Sequence, residues 1–223
     1  MLSMIKDLIM MTPEQVRAFI LEQACRFEVV EGADFVLLIN NDAKKDLCLV
    51  SHYDTVGNTP PKVLKQESNI LHTDGTSILG GDDRAGVYAC LKLADSVRYT
   101  LFCDKEEIGG LGAIEFCESM PHFTTKAFIE LDRKGNNDSV YYDSISLDFE
   151  EWVGSFGWKP NTGSFSDISK LTPYFNIPSV NLSVGYYNAH SKREILDLDV
   201  LETNICRVKR MIDEYDNRPF ALD

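Results

Sequence analysis

Residues 99–113, YTLFCDKEEIGGLGA, end an apolar run in two adjacent glutamates and a glycine-rich turn. Adjacent carboxylates repel each other, so Glu106 and Glu107 make chemical sense where cations are at hand. Four further stretches place acids or imidazoles just after apolar runs: His52 and Asp54 in SHYDTVG, Asp82 and Asp83 in LGGDDRAG, Asp132 closing FIELD, and His190 in GYYNAHS. Imidazole and carboxylate are the ligand types that hold zinc, cobalt or manganese. A neutral imidazole ligates best when a carboxylate holds its other ring N–H, and the i, i+2 spacing of His52 and Asp54 puts both side chains on one side of an extended segment. Taken singly, each stretch also has a structural reading. GDDR suits a helix N-terminus, KEE a solvated face, DRKG a turn, and a lone histidine the surface or a satisfied core position. The chemistry is carried by their joint order.

The surrounding sequence supplies elements able to position these groups. Thr12-Pro13-Glu14-Gln15 reads as a capping box with proline at the first helical position, and the apolar residues that follow at helical spacing predict a helix over about 12–28. DFVLLIN (34–40) and DLCLVSH (46–52) read as strands paired across the polar turn NDAKK. Residues 57–77 read as loop and hairpin, 82–96 as a helix, 97–103 as a strand, 111–120 as a helix and 126–132 as a strand. Short helices are expected over 148–158 and 166–176, a strand over 179–184 and a closing amphipathic helix over about 197–216. Alternating strands and helices predict an α/β fold with parallel strands covered by helices on both faces. In such a sheet functional residues collect at the carboxyl ends of the strands.

A chain of 223 residues without repeats or a Pro/Gly/Ser linker is expected to form a single domain over 1–223. The formal net charge of −13 leaves no basic stripe for a phosphate backbone, so nucleic acid is excluded as the expected partner. Cysteines 25, 48, 90, 103, 117 and 206 form no CxxC pair and lie mostly in apolar segments, which predicts reduced thiols and a cytoplasmic setting. The opening MLSMIKDLIMM is interrupted by Lys6 and Asp7 and reads as no signal peptide. No run is long enough to span a bilayer, so no membrane partner is expected.

Over about residues 34–205 the ordered elements HxD, GGDDRAG, EExGGLGA, the apolar strand ending in aspartate and YxxHS resemble the co-catalytic di-zinc exopeptidase superfamily. That superfamily includes leucyl aminopeptidases, tetrahedral aminopeptidases, tripeptidase T, deacetylases and glutamate carboxypeptidases. The resemblance implies a three-layer α/β/α fold with a mixed, mostly parallel central sheet, of the phosphorylase/hydrolase-like zinc peptidase type. It implies two Zn²⁺ ions, with Co²⁺ or Mn²⁺ as substitutes. His52, Asp82 and Asp132 would surround one metal, and Asp82, Glu107 and His190 the other. Asp54 would orient His52, Glu106 would be the general base, and Asp83 would cap or support. A metal-bridging hydroxide would then hydrolyse an amide bond.

The spacing bears on the branch. His52 and Asp82 are too close for the extra domain of tetrahedral aminopeptidases, and Asp132 and His190 too close for the lid of carboxypeptidases and deacetylases. The resemblance therefore implies a lid-less aminopeptidase acting on short peptides. The alternatives are a deacylase of N-acyl amino acids or related small amides, and a non-catalytic metal- or peptide-binding homologue. His72 and His122 read as surface or loop residues, and Arg84 as the partner of a carboxylate. Asp167 either orients a ligand, shapes the pocket or caps a helix.

Overall fold

The computed structural model describes residues 2–142 and 146–220. Its helices are α1 (Leu2–Ile9), α2 (Pro13–Gln23), α3 (Gly81–Leu93), α4 (Leu111–Ser119), α5 (Leu147–Ser155), α6 (Ile168–Phe175) and α7 (Leu198–Glu214). Its strands are β1 (Glu28–Glu31), β2 (Phe35–Ile39), β3 (Cys48–His52), β4 (Leu64–Glu67), β5 (Ile70–Thr73), β6 (Tyr99–Cys103), β7 (Phe128–Arg133), β8 (Asp138–Val140), β9 (Lys159–Asn161), β10 (Ser179–Ser183), β11 (Tyr186–Tyr187) and β12 (Ile195–Asp197). Eight strands form one sheet in the order β1-β2-β6-β3-β7-β10-β8-β9, and β11-β12-β5-β4 form a smaller one.

In the large sheet β6, β3, β7 and β10 run parallel to one another, β2 pairs antiparallel with both β6 and β1 on one side, and β8 pairs antiparallel with β10 on the other. The expected α/β class with a mixed, mostly parallel sheet is the one observed. Side-chain alternation divides the core in two. Val36, Leu38, Leu49, Ile129 and Leu131 point into the apolar cluster that also holds Tyr88 of α3, Trp152 of α5 and Leu201 of α7. Phe35, Leu37, Val50, Leu101 and Phe128 point into the cluster under Phe116 of α4 and Leu171 of α6. Period-2 strands with apolar residues on both faces require cover on both sides, which gives the three layers.

The strand pairing corrects one expectation. β2 and β3 are not neighbours, because β6 lies between them and pairs with both. Both are buried on both faces, as interior strands are, so each needs a neighbour on either side. The Thr12 capping box is present, with Thr12 N donating to Gln15 Oε1 at 2.9 Å. Its helix stops at Gln23, short of residue 28, because Val29 and Val30 are taken by β1 pairing with β2. The N-terminal α1 was not anticipated, and His72 lies half-buried within β5 rather than in a loop. His122 is exposed in a loop, as expected.

Helix α3 crosses β7 at Gly86, where an added Cβ would stand 1.9 Å from the Leu131 carbonyl oxygen and 2.2 Å from an Asp83 carboxylate oxygen. A backbone carbonyl in a central strand cannot yield, so glycine is the one residue that permits this approach. Gly86→Ala is expected to destabilise the fold by about 3 kcal/mol. That lowers the melting temperature by roughly 6–12 °C. An unchanged calorimetric melting curve would refute this account of the α3–β7 contact.

Candidate metal centre

Parallel pairing of β6, β3, β7 and β10 brings their carboxyl ends to one edge of the sheet. His52 is the last residue of β3, and Asp132 the penultimate residue of β7. Glu106 and Glu107 sit in the turn between β6 and α4, and Asp82 stands at the start of α3, joined to Asp83 by a cis peptide bond. His190 arrives from the smaller sheet, in the connection between β11 and β12.

Asp82 is the hub. One of its oxygens, Oδ1, is 3.2 Å from His52 Nε2, and the other, Oδ2, is 3.2 Å from His190 Nε2. His52 Nε2 also lies 3.4 Å from Asp132 Oδ1 and 4.0 Å from Glu106 Oε2, and His190 Nε2 lies 2.9 Å from Glu107 Oε1. The structure thus brings together all five residues singled out as ligands, with Glu106 among them. His52, Asp82 and Glu107 offer ligand atoms within 4.8 Å of one another, as do His52, Asp83 and Asp132. Asp83 is otherwise engaged: Gly86 N donates to its Oδ1 at 2.8 Å and His52 N approaches its Oδ2 at 3.4 Å.

Buried acid groups dominate the electrostatics. Burial raises the Glu106 carboxyl to about 9, and burial together with neighbouring Asp82 raises Asp132 to about 6. Asp82 resists the same burial, because hydrogen bonds to His190 and His52 hold it below the usual carboxylate range. Those to Asp82 and Glu107 in turn lift His190 to about 10. Burial opposes charge on His52, yet Asp132, Asp54 and Asp82 outweigh it and leave that imidazole well above its ordinary value. Here the two imidazoles hold protons that a divalent cation would replace. Carboxylates crowded around two ring nitrogens form a donor set that suits zinc, cobalt or manganese.

Several residues hold this arrangement in place. Asp54 Oδ1 lies 3.2 Å from His52 Nδ1 and also accepts Glu106 N at 3.1 Å, while its Oδ2 accepts Glu107 N at 3.2 Å. One carboxylate therefore fixes both the imidazole and the diglutamate turn. Glu194, unnoticed in the sequence, is buried and accepts the backbone N–H groups of Leu79, Gly80 and Asp82 at 2.8–3.0 Å. Asn181 Oδ1 accepts Asp132 N at 3.0 Å, and the Tyr186 hydroxyl donates to the Asp132 carbonyl at 2.9 Å. None carries a sequence signal. SKRE reads as solvated charge and SVNLS as a core strand.

Arg84 departs from expectation. It is buried and donates to the backbone carbonyls of Tyr53 and Met11, so its role is to tie the HxD segment to the N-terminal region. Asp167 precedes α6 without capping it. It is buried, no N–H or O–H donor reaches its carboxylate among the described residues, and burial raises it to about 7. Its own N–H donates to Glu130 Oε1 at 3.2 Å, and Glu130 also accepts the Ser166 hydroxyl. In front of the cluster opens a cleft of about 560 Å³.

No protein-family model and no curated protein matches the sequence. Solved structures do match the fold. Aminopeptidase PepT from Bacillus cereus superposes with a TM-score of 0.76 at 15% identity, over 96% of this chain and 97% of that one. An aminopeptidase from the archaeon Desulfurococcus kamchatkensis gives 0.72 at 12% identity, over 96% and 94%. Glutaminyl cyclase from Porphyromonas gingivalis gives 0.65 at 16% identity, over 95% and 96%. The α/β fold expected from the sequence is thus the fold of this chain, and it is shared with these aminopeptidases and the glutaminyl cyclase.

Proposed function

We propose that the chain is a two-metal amide hydrolase, and specifically an aminopeptidase of short peptides. The observation that carries this reading is the single carboxylate of Asp82, set with one oxygen toward each imidazole. His52, Asp82 and Asp132 would hold one divalent cation, and Asp82, Glu107 and His190 the other, zinc being the first candidate. Bound cations supply charge neutralisation and Lewis-acid polarisation of the scissile carbonyl and the attacking water.

The chain's own residues supply the rest. Asp54 at His52 Nδ1 leaves Nε2 to face the centre. Glu106, held through its N–H by Asp54, takes the proton of the attacking water on its carboxylate and returns it to the leaving nitrogen. Among the described residues no lid domain covers the cleft, so recognition would fall on the substrate's amino end. Six cysteines without a disulfide support a reducing compartment such as the cytoplasm, and no described helix is long and apolar enough to cross a membrane.

Protein loaded with zinc, cobalt or manganese should bind two metals per chain and hydrolyse aminoacyl amides in preference to N-acetyl amino acids. Two bound metals without turnover on any amide would end the enzyme reading. Metal uptake should also release protons. His190, lifted to about 10, is protonated at neutral pH, so affinity at that site should rise about tenfold per pH unit from 7 toward 10. Calorimetry in buffers of different ionisation enthalpy reads this directly, and a pH-independent affinity would count against His190 as a ligand.

A further inference from the structure

Beyond the cluster, the charged groups lining the cleft are Arg133, Lys134 and Asp138. Asp138 is already engaged, since its Oδ2 accepts Asn161 Nδ2 at 2.8 Å and lies 3.6 Å from Arg133 Nη2. Arg133 also donates through Nη2 to the Thr162 carbonyl at 3.2 Å, leaving its buried Nε without a partner. Lys134 is exposed and forms no ion pair among the described residues. The backbone beneath it is fixed: Val184 N donates to Arg133 O at 2.8 Å, Gly135 N to Tyr186 O at 2.9 Å, and Gly185 N to Gly135 O at 3.0 Å. Gly135, at φ +90°, turns the chain immediately after Lys134.

The charge balance gives this pair a direction. If two dications neutralise Asp82, Glu106, Glu107 and Asp132, the remaining wall of Arg133, Lys134 and Asp138 carries one net positive charge. In a chain with 35 acidic and 22 basic residues, Lys134, a cation at the mouth of the cleft with no carboxylate partner among the described residues, has its natural counter-ion in the substrate. We infer that Arg133 and Lys134 form a substrate subsite for a carboxylate, so that the preferred substrate is an anionic short peptide. This rests on the hydrolase reading above. The carboxylate belongs either to an acidic N-terminal side chain or to the free C-terminus of a very short peptide. Lys134 meets it as a mobile point charge, and Arg133 adds positive charge behind it in the cleft wall.

The metal-loaded protein, Lys134→Glu and Lys134→Met are compared on two substrate pairs. Glutamyl-p-nitroanilide against leucyl-p-nitroanilide tests the side chain, and leucylglycine against leucylglycinamide tests the terminus. The expected result is wild-type preference for the anionic member of one pair, with that kcat/KM ratio lowered about 10- to 100-fold in Lys134→Glu and less in Lys134→Met. The pair that responds identifies the source. Absence of either preference in the wild type, or its survival in both variants, overturns the subsite. Calorimetric binding of glutarate separates the two readings. Binding weakened at least about tenfold in Lys134→Glu, without turnover of any amide, retains the subsite and ends the hydrolase; turnover without a carboxylate preference does the reverse.

Discussion

Replacing Glu106 with glutamine is expected to lower kcat by about 10²- to 10⁴-fold while leaving both metals bound. Glu106 is 8% exposed, and its Oε2 stands 4.0 Å from His52 Nε2, at the wall of the cleft. Its backbone N–H is held by Asp54, which fixes the main chain from which the side chain springs together with that of Glu107. Glutamine preserves volume and packing but cannot accept the proton of an attacking water. Burial holds the Glu106 carboxyl at about 9 without cations, which would make it a poor base at neutral pH. Positive charge in front of it favours the ionised form and restores the base. Metal content by elemental analysis, read beside kcat, separates this role from ligation. Full activity in Glu106→Gln would assign the base elsewhere, and loss of metal would make Glu106 a ligand.

The positions of the candidate ligands were legible because each lies at or just beyond the end of an apolar run, and parallel strands deliver such ends to a common edge. His52 and Asp54 illustrate this, since both their spacing and their partnership are local. Glu194 was illegible for the opposite reason. It supports Asp82 across 112 residues of sequence, and nothing in SKRE distinguishes a buried acceptor of three N–H groups from a solvated charge. Arg84 was misread because charge suggested a carboxylate partner, whereas the buried guanidinium meets backbone carbonyls. The interior strands announced themselves by apolar residues on both faces. Short strands such as β8 and the edge strand β9, three residues each, have too little sequence to show a period. The β2–β3 pairing failed because proximity in sequence favoured a hairpin, while two doubly buried strands each needed two neighbours.

Asp82→Ala is expected to abolish turnover and to reduce bound metal from two per chain to at most one, with affinity weakened by more than about 100-fold. Among the described residues no other carboxylate is placed between the two imidazoles to take over. Asp83 has one oxygen on Gly86 N and the other facing His52 N, so redirecting it would release the first turn of α3 and the end of β3 together. The two imidazoles are joined through Asp82 alone among their ion-pair partners, His52 through Oδ1 and His190 through Oδ2. Removing it therefore divides the cluster rather than trimming it. Glu194 would still hold Leu79 N and Gly80 N, so the loop should persist and the metal-free fold survive. At metal concentrations of 100 times Kd, one site adds about 2.7 kcal/mol of stability. That corresponds to roughly 5–10 °C in melting temperature. Wild type should show at least this metal-dependent rise and Asp82→Ala should forfeit it, while their melting temperatures in chelator remain close. A variant that keeps two metals and the full thermal shift would show that the two sites are independent and that Asp82 does not bridge them.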